Sequence, residues 1–160
     1  MKSQQTHKSN NLKICLVASG GGHLTELLTL SKSWKQYESF FVTTVPVVQH
    51  NLKESGNVYI VGECNRQYPM RVLNVLLRCA RIVFQEKPNV IISTGAAAGC
   101  IICFLAKFTR ARIIWIDSIT NVKRISLSGR MVRHIADLFL VQWPELTKKY
   151  NKVEYLGTVI

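Results

Sequence analysis

Two runs of small residues hold the positions in this sequence best suited to chemistry. Ser19, Gly20, Gly21 and Gly22 run directly into His23, and Thr94, Gly95, three alanines and Gly99 form a second such run. Glycine in a turn lets the backbone approach a ligand closely, and a helix that follows offers its first free N–H groups to an anion. Two such loops on one edge would cradle a diphosphate. His23 stands where a neutral imidazole could take a proton from an attacking hydroxyl, or a charged one could bind phosphate. Asp117 ends an apolar run, ARIIWI, and is the second candidate base. Each feature also has a plainer reading: a tight turn, a capping histidine, a carboxylate at a strand end.

Neither loop is a nucleotide fingerprint. GGGH is not GxGxxG, residues 40–45 (FFVTTV) lack the acidic residue expected about 20 positions on, and the Lys-Ser/Thr pair of a P-loop is missing. A dinucleotide site is disfavoured and no cofactor is expected. Of the five cysteines, only Cys100 and Cys103 have a spacing of interest, and their apolar neighbours Ile101, Ile102 and Phe104 favour a packed core over a redox pair. With no second CxxC and no histidine pair at ligand spacing, no metal is expected.

The elements that must position these loops alternate in type. Residues 12–18 (LKICLVA), 40–45, 58–61 (VYIV), 89–93 (NVIIS), 111–116 and 138–141 (LFLV) read as strands, and 153–155 as a short edge strand. Helical patterns open at His23 and, after Pro69, over residues 70–86. Continuous apolar strands alternating with helices predict a parallel sheet covered on both faces, a doubly wound α/β fold. In such sheets ligands bind at the carboxyl ends of the strands, where both small-residue loops fall. Residues 12–160 are expected to form one domain, with 1–11 as a polar, flexible tail.

The charge narrows the partners. Twenty-one Lys and Arg against nine Asp and Glu give a formal charge of +12, an attraction to acidic matter of some kind. Nucleic acid is disfavoured because neither an RNA-binding aromatic signature nor a helix-turn-helix pattern accompanies the charge. The longest apolar run falls far short of the ~20 residues that cross a bilayer. In the 70–86 helix, Arg71, Asn74, Arg78, Arg81 and Gln85 share an arc of about 80° and the rest is almost all apolar. Part of that surface suits the sheet and part suits shallow insertion into a membrane, with Arg71, Arg78 and Arg81 at the anionic headgroups. Arg66, Lys123, Arg124, Arg130 and Arg133 would add to that attraction.

Taken in order, LVASGGGHLTELL, VIISTGAAAG, WIDSITNVKRISLSG, ADLFLVQWPEL and the closing Tyr155-Leu156-Gly157 resemble a known family. It is that of the acceptor-side, membrane-associated subunit of the UDP-N-acetylglucosamine transferase of dolichol-linked N-glycan assembly, Alg14. The likeness looks closer still to bacterial counterparts in capsule and exopolysaccharide synthesis, and it covers residues 13–160. The resemblance implies a Rossmann-like domain equivalent to the N-terminal half of a GT-B glycosyltransferase. It further implies an enzyme only as half of a heteromeric, inverting transferase, whose separate partner subunit binds the UDP-sugar.

By that resemblance Ser19, Gly20, Gly21, Gly22, Thr94, Gly95 and Gly99 would hold the diphosphate of a polyprenyl-diphosphate-linked sugar acceptor, with His23 or Asp117 as base. Trp143, Tyr155 and Ile160 would meet the partner. The eukaryotic subunit begins with a spanning helix that this sequence lacks, so a peripheral place on the cytoplasmic face of the plasma membrane is expected. The alternative is a non-catalytic membrane scaffold that enhances a transferase.

Overall fold

Six of the seven expected strands form, and each lies parallel to its neighbours. The computed structural model describes residues 12–46, 56–64 and 68–159. The expected tail, Arg66 and Ile160 therefore lie outside the described residues. The strands are β1 (Lys13–Ala18), β2 (Glu38–Thr43), β3 (Asn57–Ile60), β4 (Val90–Ser93), β5 (Arg112–Ile116) and β6 (Leu138–Leu140). Between them run α1 (Gly22–Thr29), α2 (Pro69–Glu86), α3 (Ala96–Phe108) and α4 (Leu127–Val132), and α5 (Glu145–Lys149) follows β6.

The sheet order is β3-β2-β1-β4-β5-β6. The chain moves outward from β1 on one side, then returns to place β4 on its other side, with Cys15 facing both Phe40 and Ile91. Strand order thus reverses between β1 and β4, where a crevice opens at the carboxyl edge of such sheets. This is the expected Rossmann-like, doubly wound parallel sheet.

Strand alternation divides the apolar residues between two cores. Cys15, Val17, Phe40, Val42, Ile91, Ile113 and Trp115 face α2, α3 and α4, while Ile14, Leu16, Ala18, Phe41, Ile92 and Ile116 face α1 and Trp34. Cys100 and Cys103 lie in the first core, where burial raises both thiols above their ordinary value, as a packed-core reading requires. The expected edge strand near residue 154 is a single parallel bridge between Leu140 and Glu154.

Charged residues at the amino edge close the sheet from below. Lys13 Nζ lies 2.5 Å from Glu86 Oε2 and 3.1 Å from Glu38 Oε1. Glu86 also accepts the Tyr59 hydroxyl. The Lys13 ammonium and the Tyr59 hydroxyl hold the Glu86 carboxyl below its ordinary value, and Glu86 in turn raises Lys13. On the far side Arg112 pairs with Asp137 at 2.9 Å.

Candidate active site at the carboxyl edge

The loops after β1 and β4 stand side by side across the reversal in strand order. Gly21 precedes α1 with φ 81°, and Gly95 precedes α3 with φ 135°. Both conformations favour glycine, and Ala96 follows Gly95 at a left-handed φ of 66°. Neither helix has a side-chain cap or an acidic residue in its first turn. Two sets of free N–H groups and two positive dipole ends are thus left for an anion.

The individual glycines do different work. A Cβ at Gly21 or Gly22 would meet nothing within 4 Å, so these two line open space. A Cβ at Gly20 would stand 2.4 Å from Val45 Cγ2, so that glycine permits close packing of loop on strand end. Gly99 turns inward: a Cβ there would stand 2.2 Å from Ser93 Oγ and 3.6 Å from the Trp115 ring. Its expected place in a diphosphate loop gives way to a seat inside α3, because that helix begins at Ala96. Thr94 is likewise fully buried and donates its hydroxyl to the His23 carbonyl at 2.6 Å.

His23 occupies the first turn of α1, and its ring lies over Gly95. A Cβ at Gly95 would stand 2.7 Å from His23 Cε1. The imidazole side chain is half-buried, and its Nδ1 is buried with no hydrogen-bond partner among the described residues. Beneath it lies Glu26, which the sequence did not single out. Its Oε1 accepts the Ser118 hydroxyl and the Ile119 N–H, both at 3.0 Å, while Oε2 lies 3.9 Å from His23 Nδ1.

Asp117 is drawn below this edge rather than onto it. Only 1% of it is exposed. Its carboxylate accepts the Ser126 hydroxyl at 2.6 Å, the Ser126 N–H at 2.9 Å and the Trp115 indole N–H at 3.2 Å. Ser126 in turn caps α4 by accepting the Gly129 N–H at 2.8 Å. Asp117 therefore anchors the loop after β5, and no lone pair on it reaches an open surface as a base must. That same loop carries Lys123 and Arg124, both exposed, and is tied down again where the Trp143 indole donates to the Ile119 carbonyl at 2.7 Å.

The flank of the domain carries the expected apolar surface, in a modified form. Val75, Cys79, Ile82 and Val83 of α2 enter the core, while Met70, Leu73, Leu76, Leu77 and Phe84 remain exposed. Phe104 and Phe108 of the adjacent α3 extend this ridge, Phe108 being 79% exposed. Arg78 and Arg81 line a recess of about 360 Å³ between α2 and β3. Arg71 stacks over Tyr68 at 4.6 Å from the ring centre. Among the described residues no helix is long and apolar enough to cross a membrane. A larger recess, about 550 Å³, lies by Trp34 and Glu38 at the amino edge of the sheet. At the carboxy-terminal end Tyr155 and Leu156 are exposed.

A family described as "Oligosaccharide biosynthesis protein Alg14 like" matches residues 57–159. The UDP-N-acetylglucosamine transferase subunit ALG14 of Yarrowia lipolytica is 29% identical, over 96% of this chain and 83% of its own. The Schizosaccharomyces pombe subunit is 42% identical over 76% of this chain and 61% of its own. Acinetobacter baumannii MurG superposes with a TM-score of 0.75 at 15% identity, over 93% of this chain. A UDP-GlcNAc 2-epimerase of Methanocaldococcus jannaschii gives 0.68 at 12% identity, over 92% of this chain. The chain spans about half the length of these two solved structures (46% of each), and the likeness to them is one of fold. With more than half of its residues matched, the chain belongs to the Alg14-like family of oligosaccharide biosynthesis proteins.

Proposed function

We propose that this chain is the acceptor-side subunit of a two-chain glycosyltransferase that uses UDP-N-acetylglucosamine. The observation that carries the reading is the pair of uncapped helix N-termini flanking the strand-order reversal, with the His23 ring between them over Gly95. A polyprenyl-diphosphate-linked sugar would lay its diphosphate against Gly21, Gly22 and the Gly95 turn, with Ser19 and Gly20 shaping the entrance. The donor comes from the relatives, which are named as subunits of a UDP-N-acetylglucosamine transferase. A subunit implies a second chain, which would bind the donor.

In the reaction the acceptor hydroxyl attacks the anomeric carbon of the donor sugar. The bond from that carbon to the UDP oxygen breaks, UDP leaves with the electron pair, and configuration inverts. His23 receives the hydroxyl proton on Nε2, the nitrogen not turned toward Glu26. Asp117 has no part in the proton transfer and holds the loop after β5 instead. The α2–α3 ridge, with Arg71, Arg78 and Arg81 beside it, would rest on the anionic cytoplasmic face of the membrane, where such an acceptor is found. Tyr155 and Leu156 would meet the partner chain, and Trp143 would brace that end from within. Capsule or exopolysaccharide assembly is the setting in which we place the enzyme.

Reconstitution tests this reading. This chain, its donor-binding partner and the two together are each given UDP-N-acetylglucosamine and polyprenyl-diphosphate acceptors bearing different first sugars. Transfer that requires both chains is expected, and the productive acceptor identifies the pathway. A His23→Gln complex that retains full turnover would leave the scaffold reading instead.

A further inference from the structure

The group beneath His23 has an unusual arrangement of filled and empty hydrogen-bonding positions. Glu26 is 7% exposed, and a buried carboxylate is tolerated where its oxygens are satisfied. One oxygen is: Oε1 takes Ser118 Oγ and Ile119 N at 3.0 Å each, and both donors lie on the loop after β5. The other, Oε2, is buried with no partner among the described residues, and so is His23 Nδ1. The two orphaned atoms lie 3.9 Å apart, one turn apart on the same face of α1. A movement of about 1 Å brings them to an ordinary hydrogen bond. The backbone of His23 is meanwhile fixed by Thr94, and its ring is confined by Gly95.

We infer that Glu26 is a positioning residue for His23, holding the imidazole with its proton on Nδ1 so that Nε2 is free to accept the proton of the acceptor hydroxyl. The inference rests on the reading of His23 as base. A carboxylate oxygen can only accept, so the ring nitrogen facing it must donate, and the opposite nitrogen is then the acceptor. Ser118 and Ile119 act one step further out. By fixing Oε1 they aim Oε2 and tie the tautomer of His23 to the conformation of the loop that carries Lys123 and Arg124.

Four versions of the two-chain enzyme test this: His23→Gln, Glu26→Gln, Glu26→Asp and the His23→Gln/Glu26→Gln double variant. Turnover and the acceptor KM are measured, together with ring nitrogen-15 shifts of His23 in the complex. Removing the base should cost about a hundredfold or more in kcat. Glu26→Gln keeps an oxygen for Ser118 and Ile119 but turns an amide donor toward Nδ1. It should lower kcat by about tenfold or more with little change in KM, and move the ring proton to Nε2. Glu26→Asp should recover part of the loss, and the double variant should be no slower than His23→Gln alone. A Glu26→Gln enzyme with normal kcat and an unchanged ring tautomer overturns the inference. So does a double variant whose losses multiply. A His23→Gln enzyme with full turnover overturns the base reading itself, while the nitrogen-15 shifts still report whether Glu26 sets the ring.

Discussion

The ring of His23 lies so close over Gly95 that a methyl group at position 95 would stand 2.7 Å from its Cε1. Gly95 also has φ 135° and ψ −156°, a region that essentially only glycine enters. Gly95→Ala should therefore do two separable things. Strain should destabilise the domain by about 1–3 kcal/mol, read as a lower melting temperature. Displacement of the imidazole should lower kcat at temperatures where the variant is fully folded. An unchanged kcat would mean that the ring is not held where the reaction needs it.

Asp117 makes the opposite kind of prediction. Its carboxylate accepts from Trp115 and twice from Ser126, so Asp117→Ala leaves buried donors unpaired and removes the support of the α4 cap. Hydrogen bonds to a charged group contribute about 1.5–3 kcal/mol each, so denaturant unfolding should show a loss of several kcal/mol. Turnover per folded molecule should fall far less than in His23→Gln. A stable Asp117→Ala protein without activity would return Asp117 to candidacy as the base.

The amino edge governs acid stability. Glu86 is depressed below the ordinary carboxylate value of 4.5 by Lys13 and Tyr59, so its contribution is present above that value and is lost as pH falls through the depressed one. Lys13 is raised above 10.5, so its contribution is present below that value and disappears as pH rises through the raised one. Stability should thus fall below about pH 4.5 and again in strong alkali. Urea unfolding of Glu86→Gln across pH should show a shallower acid fall than wild type. An identical slope would place the acid sensitivity elsewhere.

The α2–α3 ridge predicts salt-sensitive membrane binding. Each arginine near an anionic surface contributes about 1 kcal/mol. Reversing Arg71, Arg78 and Arg81 together should therefore weaken co-sedimentation with anionic vesicles by about a hundredfold or more. Replacing Phe104 and Phe108 with serine should weaken it further and leave the remaining binding more dependent on charge. Undiminished binding in the triple charge reversal would exclude this face as the membrane contact.

The sheet was legible in the sequence because each strand is a continuous apolar run, and such runs arise where both faces are covered. The α2 helix was visible from Pro69 and its periodicity, although one arc was apportioned between core and exterior only by the position of α3. The small-residue run suggests a loop as far as Gly99, but the helix begins at Ala96, since a run of alanine and glycine carries no apolar period to mark its start. Glu26 was missed for a different reason. A lone glutamate in a short helix reads as solvated, and its burial depends on Ser118, 92 residues away. Asp117 follows the last residue of β5, as its run implies, but its direction is set by Ser126 and Trp115, contacts that a strand-end position does not announce. The short helices α4 and α5 have too few turns to show a period.

The most direct test of the central claim is to locate the acceptor on the molecule. Backbone amide NMR of the two-chain complex, with only this chain isotope-labelled, would be followed during titration with a short-chain polyprenyl-diphosphate sugar. The account predicts the largest shifts at Gly21, Gly22, His23, Gly95 and Ala96, the amides of the two turns and helix starts that line the proposed diphosphate site. UDP-N-acetylglucosamine should leave these amides nearly unmoved. Shifts at these five amides with the nucleotide sugar and none with the lipid-linked acceptor would contradict the account, because this chain would then hold the donor.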